Sequence, residues 1–457
     1  MRRLVLFTLL VFQFFVCFPQ AEYTLGYMRG VYQSTYVNPA SVPNYKFSIG
    51  LPILSSVQAS VLNTGFVYND VYAGHRNDST LYDFNKLISN MKSQNLTQLG
   101  FSTDIFHIHV KIKNSFLSFN ITDKVDVRVN LTKDLLTLAW QGNGALIGKS
   151  ADLANIGADM THWREFSLGF VKEEKKYDLG IRFKFLEGLS NVQTINQNTS
   201  LSTGSQLYEL ASNANVRVNT AGIQTDSSGN FKVPNTASQI KNYLLNFQNP
   251  GAAIDLGYTR KITKKFKVSL AINNIGIITW NSNTANYSYS GNYSFVGMDA
   301  GRRLINHDTT VFNAQAYGDS VKSSYKYKYS TNTYYTFLVP QLYLTGTYDI
   351  FTGANSLRAH GTFYMDYYKQ VWAGFALGAS YELGKIIGFT ATYSARYNRF
   401  DNVGVGISLR FIPGVQIYAA TDNLLAAFSP YSSNFFNIRT GINLVFGNNK
   451  VPDKQPY

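Results

Sequence analysis

Apolar and polar residues alternate with a period of two, for about ten residues at a time, along most of this chain, and this limits its fold more than any other feature. In the segment 176–186, Leu179, Ile181, Phe183 and Phe185 share one face, and Asp178, Arg182 and Lys184 share the other. Leu357, Ala359, Phe363, Met365 and Tyr367 oppose Arg358, His360, Thr362 and Asp366. Ile387, Phe389, Ala391, Tyr393 and Tyr397 oppose Thr390, Thr392, Ser394 and Arg396, and Val403, Val405, Ile407, Leu409 and Phe411 oppose Ser408 and Arg410. From His107 to Ile112 the odd positions are polar (His107, His109, Lys111) and the even ones apolar. Successive side chains of a strand point to opposite faces, so each segment is an extended element with one greasy and one wet side. The same pattern runs through 115–122, 124–132, 164–172, 252–262, 265–274, 341–350, 371–381, 413–421 and 437–446, and more weakly through 45–53, 56–62, 207–219, 285–296 and 323–337. That makes roughly 14 to 18 strands, in the range of bacterial membrane barrels.

Composition separates a membrane barrel from a large soluble β-protein. Charged residues are 15% of the chain, against roughly 25% in soluble domains, while Gly (35), Tyr (32) and Phe (32) are abundant. Mean hydropathy is −0.12, too polar for a helical membrane protein. The polar faces carry Gly, Ser, Thr and Arg rather than the Lys and Glu of a soluble sandwich, and the apolar faces carry large aromatics. The fold class expected is all-β: an antiparallel transmembrane β-barrel with a short N-terminal hatch and a few short helices in insertions. One helix is expected over 79–91, where Leu81, Phe84, Leu87, Ile88 and Met91 share a face and Asp78 or Ser79 can cap it. Shorter ones are expected over 134–140 and 151–160. Segments 189–206, 220–250 and 297–322, rich in Asn, Ser, Thr and Gly, read as loops; Asp401-Asn402, Ile412-Pro413-Gly414 and Leu383-Gly384-Lys385 read as tight turns.

The first 21 residues read as a secretory signal: Arg2 and Arg3, an apolar run from Leu4 to Phe18, then Pro19-Gln20-Ala21. Cys17, the one cysteine, lies inside it behind Val16, a residue too large for a lipidation site. Removing Arg2 and Arg3 lowers the formal charge from +14 to +12 and leaves no thiol chemistry. After the signal no apolar run approaches the roughly 20 residues of a membrane helix. The expected organisation is a signal (1–21), a hatch or plug (22–43), the barrel (44–447) and a tail (448–457). The last strand resembles the C-terminal targeting signal of outer-membrane barrels, with Arg439, Gly441, Leu444 and Phe446 in its polar, glycine, apolar and aromatic slots. That resemblance implies recognition by the barrel-assembly machinery, with Leu444 and Phe446 turned toward lipid.

Tyr36-Val37-Asn38-Pro39-Ala40 contains an Asn-Pro-Ala element, and it resembles the N-terminal hatch of FadL-type transporters and of the PorV and PorP/SprF groups. Thr132-Lys133-Asp134-Leu135-Leu136 through Trp140-Gln141-Gly142-Asn143, and Tyr418-Ala419-Ala420-Thr421-Asp422-Asn423-Leu424-Leu425, resemble an uncharacterised Bacteroidota barrel family of that superfamily. The likeness implies a fold and a location in the Gram-negative outer membrane. It brings no substrate.

No G-x-S-x-G, H-E-x-x-H, P-loop or paired-cysteine motif occurs, so neither an enzyme nor a cofactor is expected. His107 and His109 share a strand face, which could hold a metal; with no carboxylate on that face of the strand, a polar lumen pair is the better reading. His360, beside Arg358 and Asp366, is read the same way. The lumen-facing set comprises Lys111, Arg128, Arg182, Lys184, Lys267, Arg358, Arg396, Arg410 and Arg439, opposed by Asp126, Asp178, Asp255, Asp349 and Asp366. Such a set either lines an anion pore or pairs across the lumen and locks it; pairing is the expectation. The basic residues are scattered along strands, which speaks against nucleic acid and for outer-membrane lipid and lipopolysaccharide as surroundings. The sequons at Asn95 and Asn120 are read as chance. Asp78-Ser79-Thr80, Asp308-Thr309-Thr310 and Asp319-Ser320-Val321 resemble a bacterial O-glycosylation pattern. Tyrosines crowd 287–348, as aromatic girdles or as a stacking site for an apolar or sugar ligand. Three functions are ranked: FadL-like passage or binding of small, hydrophobic molecules; an adaptor barrel of a type IX secretion or gliding-type assembly, with a secretion-system or surface-protein partner; and an outer-membrane enzyme.

Overall fold

A computed structural model describes residues 22–76, 79–196, 198–206, 209–225, 231–232, 236–295, 323–384, 386–396 and 399–448. The signal (1–21), the tail beyond Asn448, the whole loop 297–322 and two of the Asp-Ser/Thr tripeptides lie outside these residues.

The alternating segments form a closed antiparallel barrel of fourteen strands. In chain order they are β1 (in two pieces, Tyr45–Gly50 and Val57–Asn63), β2 (Gln94–Ile112), β3 (Ser115–Thr132), β4 (Gly157–Glu173), β5 (Tyr177–Asn196), β6 (Pro250–Lys261) and β7 (Phe266–Trp280). They continue as β8 (in two pieces, Tyr334–Phe337 and Gln341–Phe351), β9 (Ser356–Tyr368), β10 (Gln370–Leu383), β11 (Ile387–Arg396), β12 (Arg399–Leu409), β13 (Val415–Thr421) and β14 (Phe435–Asn448). Each strand pairs with its chain neighbour, and β14 closes the ring on both pieces of β1. β8 breaks at 338–340, where Pro340 has no N–H for the ladder. The turns 113–114, 174–176, 262–265, 352–355, 384–386 and 410–414 are short and share one end of the barrel; the long insertions share the other.

Several local expectations are corrected. Segments 115–122 and 124–132 are one strand, β3. Segment 79–91 is not one helix: Ser79–Tyr82 is a strand paired with Tyr72–Arg76, and the helix is Phe84–Asn90, capped by Asp83, whose carboxylate accepts from Lys86 N. Cross-strand pairing outweighed the helical spacing of Leu81. Segment 151–160 is not helical; Ser150–Asp152 pairs with Ser200–Thr203, and Gly157 begins β4. The loop 189–206 carries the end of β5, and 220–250 carries the helix Ala237–Leu244. Asp401 and Asn402 are not a turn but lie within β12. The helix over 134–140 is present as Lys133–Gln141. Strands Leu210–Ala221, Ala285–Phe295 and Tyr325–Ser330 form a sheet that extends β5 beyond the barrel proper.

The burial of the walls is inverted relative to a soluble protein. Leu168 is 63% exposed and Phe183 58%, whereas Asp255 is 1% exposed. Large side chains stand outside and charges stand inside, which is favourable only where the outer medium is apolar. The greasy belt ends, on the loop side, at a row of outward residues joined in register: Asp123 on β3, Arg164 on β4 and Glu187 on β5. Arg164 donates to Asp123 at 2.7 Å and to Leu244 O at 2.6 Å. Tyr243 Oη is hydrogen-bonded to His162 Nδ1 at 2.7 Å. The stretch around the helix Ala237–Leu244 therefore lies over the outer wall and covers its charges, with Phe247 beside Phe166. Among the described residues no helix is long and apolar enough to cross a membrane.

Candidate functional site

The inward faces of the strands enclose residues 22–43. This segment starts with the helix Tyr23–Tyr27 and a 3-10 turn Tyr32–Tyr36, both packed with almost no exposure. A five-residue helix is far too short to persist alone in water, so the wall must hold it. Glu22 accepts two bonds from the Arg439 guanidinium, at 2.6 and 2.9 Å. Thr24 N donates to Asp422 at 2.7 Å. Tyr27 stacks on His360 at 4.4 Å and donates to Thr362 at 2.8 Å. Arg410 and Gln416 both donate to Gly30 O at 2.7 Å. Tyr32 stacks on His107 at 4.5 Å and donates to Asn120 at 2.6 Å. Tyr36 donates to Asp104 at 2.6 Å, and Arg182 donates to Thr35 O at 3.0 Å.

Asn38, Pro39 and Ala40 form the turn that leaves this plug. The Asn38 side chain accepts from Ala40 N at 2.9 Å, closing an Asx turn. The turn rests on two wall glycines that are register partners, Gly180 on β5 and Gly257 on β6. A Cβ on Gly180 would stand 2.3 Å from the Pro39 carbonyl group, and one on Gly257 would stand 2.5 Å from Ala40 N. Glycine is required there for close approach, not for a special backbone angle.

On the loop side of the plug lies a cavity of about 620 Å³, floored by Glu22, Tyr36 and Val37 and walled by β2 to β5, β7 to β9 and Arg439 of β14. Its charges are paired. Lys124 meets Glu165 at 2.9 Å, Lys184 meets Asp255 at 2.7 Å, Arg128 meets Asp126 at 2.7 Å and Lys369 meets Asp159 at 3.4 Å. Trp163, Leu186, Ile278, Trp280 and Leu338 form an apolar cluster at one side.

A family model spans residues 39–422, from the Asn-Pro-Ala turn to the aspartate that holds Thr24. The chain belongs to the Family of unknown function (DUF5723). No curated protein matches it in sequence. Among solved structures this DUF5723 barrel is similar to a Pseudomonas aeruginosa FadL homologue (11% identity, 95% of this chain and 100% of that one, TM-score 0.42). It is also similar to the Ralstonia pickettii toluene transporter TbuX (11% identity, 91% and 93%, TM-score 0.40) and to the P. putida toluene transporter TodX (10% identity, 95% and 96%, TM-score 0.41). Likeness at this level says nothing about a ligand.

In the DUF5723 barrel the lumen candidates named from sequence are distributed over three tasks. His107, His360, Arg182 and Arg410 touch the plug. His109 packs between the plug and the wall, 5.4 Å from the Tyr32 ring and stacked on Phe116 at 5.1 Å. Lys111, at the turn end, pairs with Glu173 at 3.2 Å, Arg358 with Asp349 at 3.1 Å, and Arg396 with Asp366 at 2.7 Å. Arg128 and Lys184 line the cavity. Among the described residues no group of three metal-binding side chains occurs. At the C-terminus Arg439 and Gly441 face inward, while Leu444 is half-exposed and Phe446 is 50% exposed on the outer side.

Asp104 escaped the sequence pattern, and the statement that no carboxylate shares the face of His107 is corrected. A bulge between Asp104 and Phe106 shifts the phase of β2 by one residue, bringing Asp104 to the lumen, 3.9 Å from His107. Glu22, Glu165 and Trp163 were also missed. Glu22 precedes the first strand, whereas Glu165 and Trp163 share the parity of Ser167 on β4, so the alternation of that strand could have placed them in the lumen.

Proposed function

We propose that this chain is an outer-membrane barrel that binds or passes a small molecule on the loop side, with residues 22–43 as its gate. The observation that carries the reading is the plug: a marginal segment held inside the wall by side chains from most of its strands, with a roomy chamber above it. The exposed greasy belt, the expected signal and the C-terminal strand support the location. They also support lipopolysaccharide as the outer surroundings and the assembly machinery as the partner of β14. The charge-paired lumen favours a closed barrel over a standing anion pore.

The test is single-channel conductance of residues 22–457 and of 44–457 in a planar bilayer, with folding checked by heat-dependent gel mobility. Conductance that is low in the first and steady in the second is expected. Two folded but silent barrels would remove the gate from the reading.

One observation favours the adaptor reading as a second. The strands Ala285–Phe295 and Tyr325–Ser330 carry the facing pairs Tyr287–Tyr329 and Tyr289–Tyr327, with Tyr289, Tyr327 and Tyr329 about half exposed on the extension sheet. Exposed tyrosines on a rigid strand pair suit a protein partner. Co-purification of a partner that is lost on Tyr327→Ser would favour this reading.

A further inference from the structure

The extension sheet departs from the charge pairing of the lumen. Its strands Leu210–Ala221, Ala285–Phe295 and Tyr325–Ser330 contain Arg217, Lys326 and Lys328 and no Asp or Glu. All three basic side chains are exposed, and none is ion-paired among the described residues. The register places them on one face. Asn219 opposes Gln193 of β5, Arg217 opposes Ser288, and Ser288 opposes Lys328. Gln193 lines the chamber, so the basic face continues the lumen side of the wall and the tyrosine face continues the lipid side.

The last of these strands is also an edge. Tyr325–Ser330 pairs with Ala285–Phe295 on one side. On its other side the wall strand β9 stops at Tyr368, and the register of β9 with β8 ends at Asp366 opposite Gln341. Lys326, Tyr327, Lys328 and Tyr329 are all exposed, so both faces of the strand are open at once. It carries neither a proline nor a bulge. Such an edge presents a row of unpaired backbone donors and acceptors, a template for another strand. Lysines are a usual guard against that. They repel a second copy, which would bring the same two charges to the contact. They do not repel a strand that bears carboxylates. A lipid phosphate would answer the charges but leave the backbone groups unmatched, and it would lie on the tyrosine side.

We infer that the edge Tyr325–Ser330 takes up an extended, acidic segment of a partner polypeptide as an added strand. The backbone ladder supplies the attachment, and the alternate side chains supply the selection. Carboxylates of the added strand meet Lys326 and Lys328, with Arg217 adding to the field from two strands away. Its uncharged side chains lie beside Tyr327 and Tyr329. This inference rests on the adaptor reading and specifies its partner.

Fluorescence anisotropy of labelled peptides on the folded barrel, residues 22–457 in detergent micelles, tests it. The probe is a short peptide of alternating threonine and glutamate. The comparators are the same peptide with lysine in place of glutamate, the glutamate peptide with its backbone amides N-methylated, and oligothymidine. Saturable binding of the glutamate peptide is expected. The double change Lys326→Glu with Lys328→Glu should weaken it about tenfold, since two opposite-charge pairs become like-charge pairs. The lysine and N-methylated peptides should not bind. Equal binding of the N-methylated peptide would overturn strand addition, and binding that the double change leaves unaltered would overturn the site. Oligothymidine binding in place of the peptide would overturn the polypeptide partner. No peptide binding by a folded barrel would overturn the acidic strand; the adaptor reading would survive that result if a partner is still lost on Tyr327→Ser, and would fall with it otherwise.

Discussion

Gly180→Ala is the sharpest perturbation of the plug, because it acts on the seat and spares the wall. The added Cβ would lie 2.3 Å from the Pro39 carbonyl carbon and oxygen. An ordinary carbon contact is about 3.5–4.0 Å, so the Asn38-Pro39-Ala40 turn must retreat by more than an ångström. The obstacle is backbone, not a flexible side-chain end, and the turn is stiffened by Pro39 and by the Asn38 Asx bond. Overpacking of this kind costs about 1–3 kcal/mol; a middle value of about 2 kcal/mol shifts a seating equilibrium roughly 30-fold. Gly180 has no positive φ, so alanine fits the strand, and replacing glycine by alanine stabilises the wall by about 0.4–1 kcal/mol through the unfolded state. Barrel stability should therefore hold while seating weakens. Hydrogen exchange of the barrel in vesicles reads this: amides of 23–38 should exchange roughly 30-fold faster, with the strands unchanged. The control is Gly346→Ala, whose Cβ would meet the Phe266 ring at an ordinary 3.6 Å. Wild-type exchange in Gly180→Ala, or equal acceleration in Gly346→Ala, would refute the idea that the glycine pair seats the plug.

Further outcomes follow from the same contacts. Glu22→Gln leaves the Arg439 guanidinium buried without a countercharge; breaking such a pair costs about 3–5 kcal/mol, and residues 23–27 should become the first protease-sensitive site of the folded barrel. Tyr27→Phe loses the bond to Thr362 but keeps the His360 stack. It should cost about 1 kcal/mol, read as a roughly fivefold rise in exchange over the same helix. Leu168→Arg, on the exposed belt of β4, should cost about 2–4 kcal/mol in urea unfolding from vesicles if it lies at mid-bilayer. A change near zero would argue that the outer face is wet.

The barrel was legible because one solvent rule covers most of its residues. Where a wall has lipid outside and a plug inside, every strand must alternate, and Arg182, Lys184, Arg358, His360 and Arg396 could be assigned to the lumen by parity alone. The rule fails where the parity breaks. A bulge hid Asp104, and Asp123, Arg164 and Glu187 look like lumen charges gone astray. They are instead the upper edge of the belt, tolerated on the outside because the stretch around Ala237–Leu244 covers them. No local pattern announces that cover, since it depends on where a chain segment 80 residues away comes to rest. Helices in the insertions were misjudged for a related reason: Leu81 has helical spacing, but a strand partner at 72–76 outweighed it.

The plug shows the same division from the other side. Asn38-Pro39-Ala40 could be picked out as a turn, yet nothing in 22–43 says what it leans on. The seats are glycines scattered over 180, 257, 374, 378, 404 and 406, and each would clash with the plug or its neighbours if it bore a Cβ. In a strand pattern a glycine is silent, since it belongs to neither face. These silent positions give the lumen its shape, and the charged ones, paired with each other, give it rigidity. The chamber that remains is bounded by cations that already face carboxylates. A ligand that matched the conspicuous arginines would compete with carboxylates already in place.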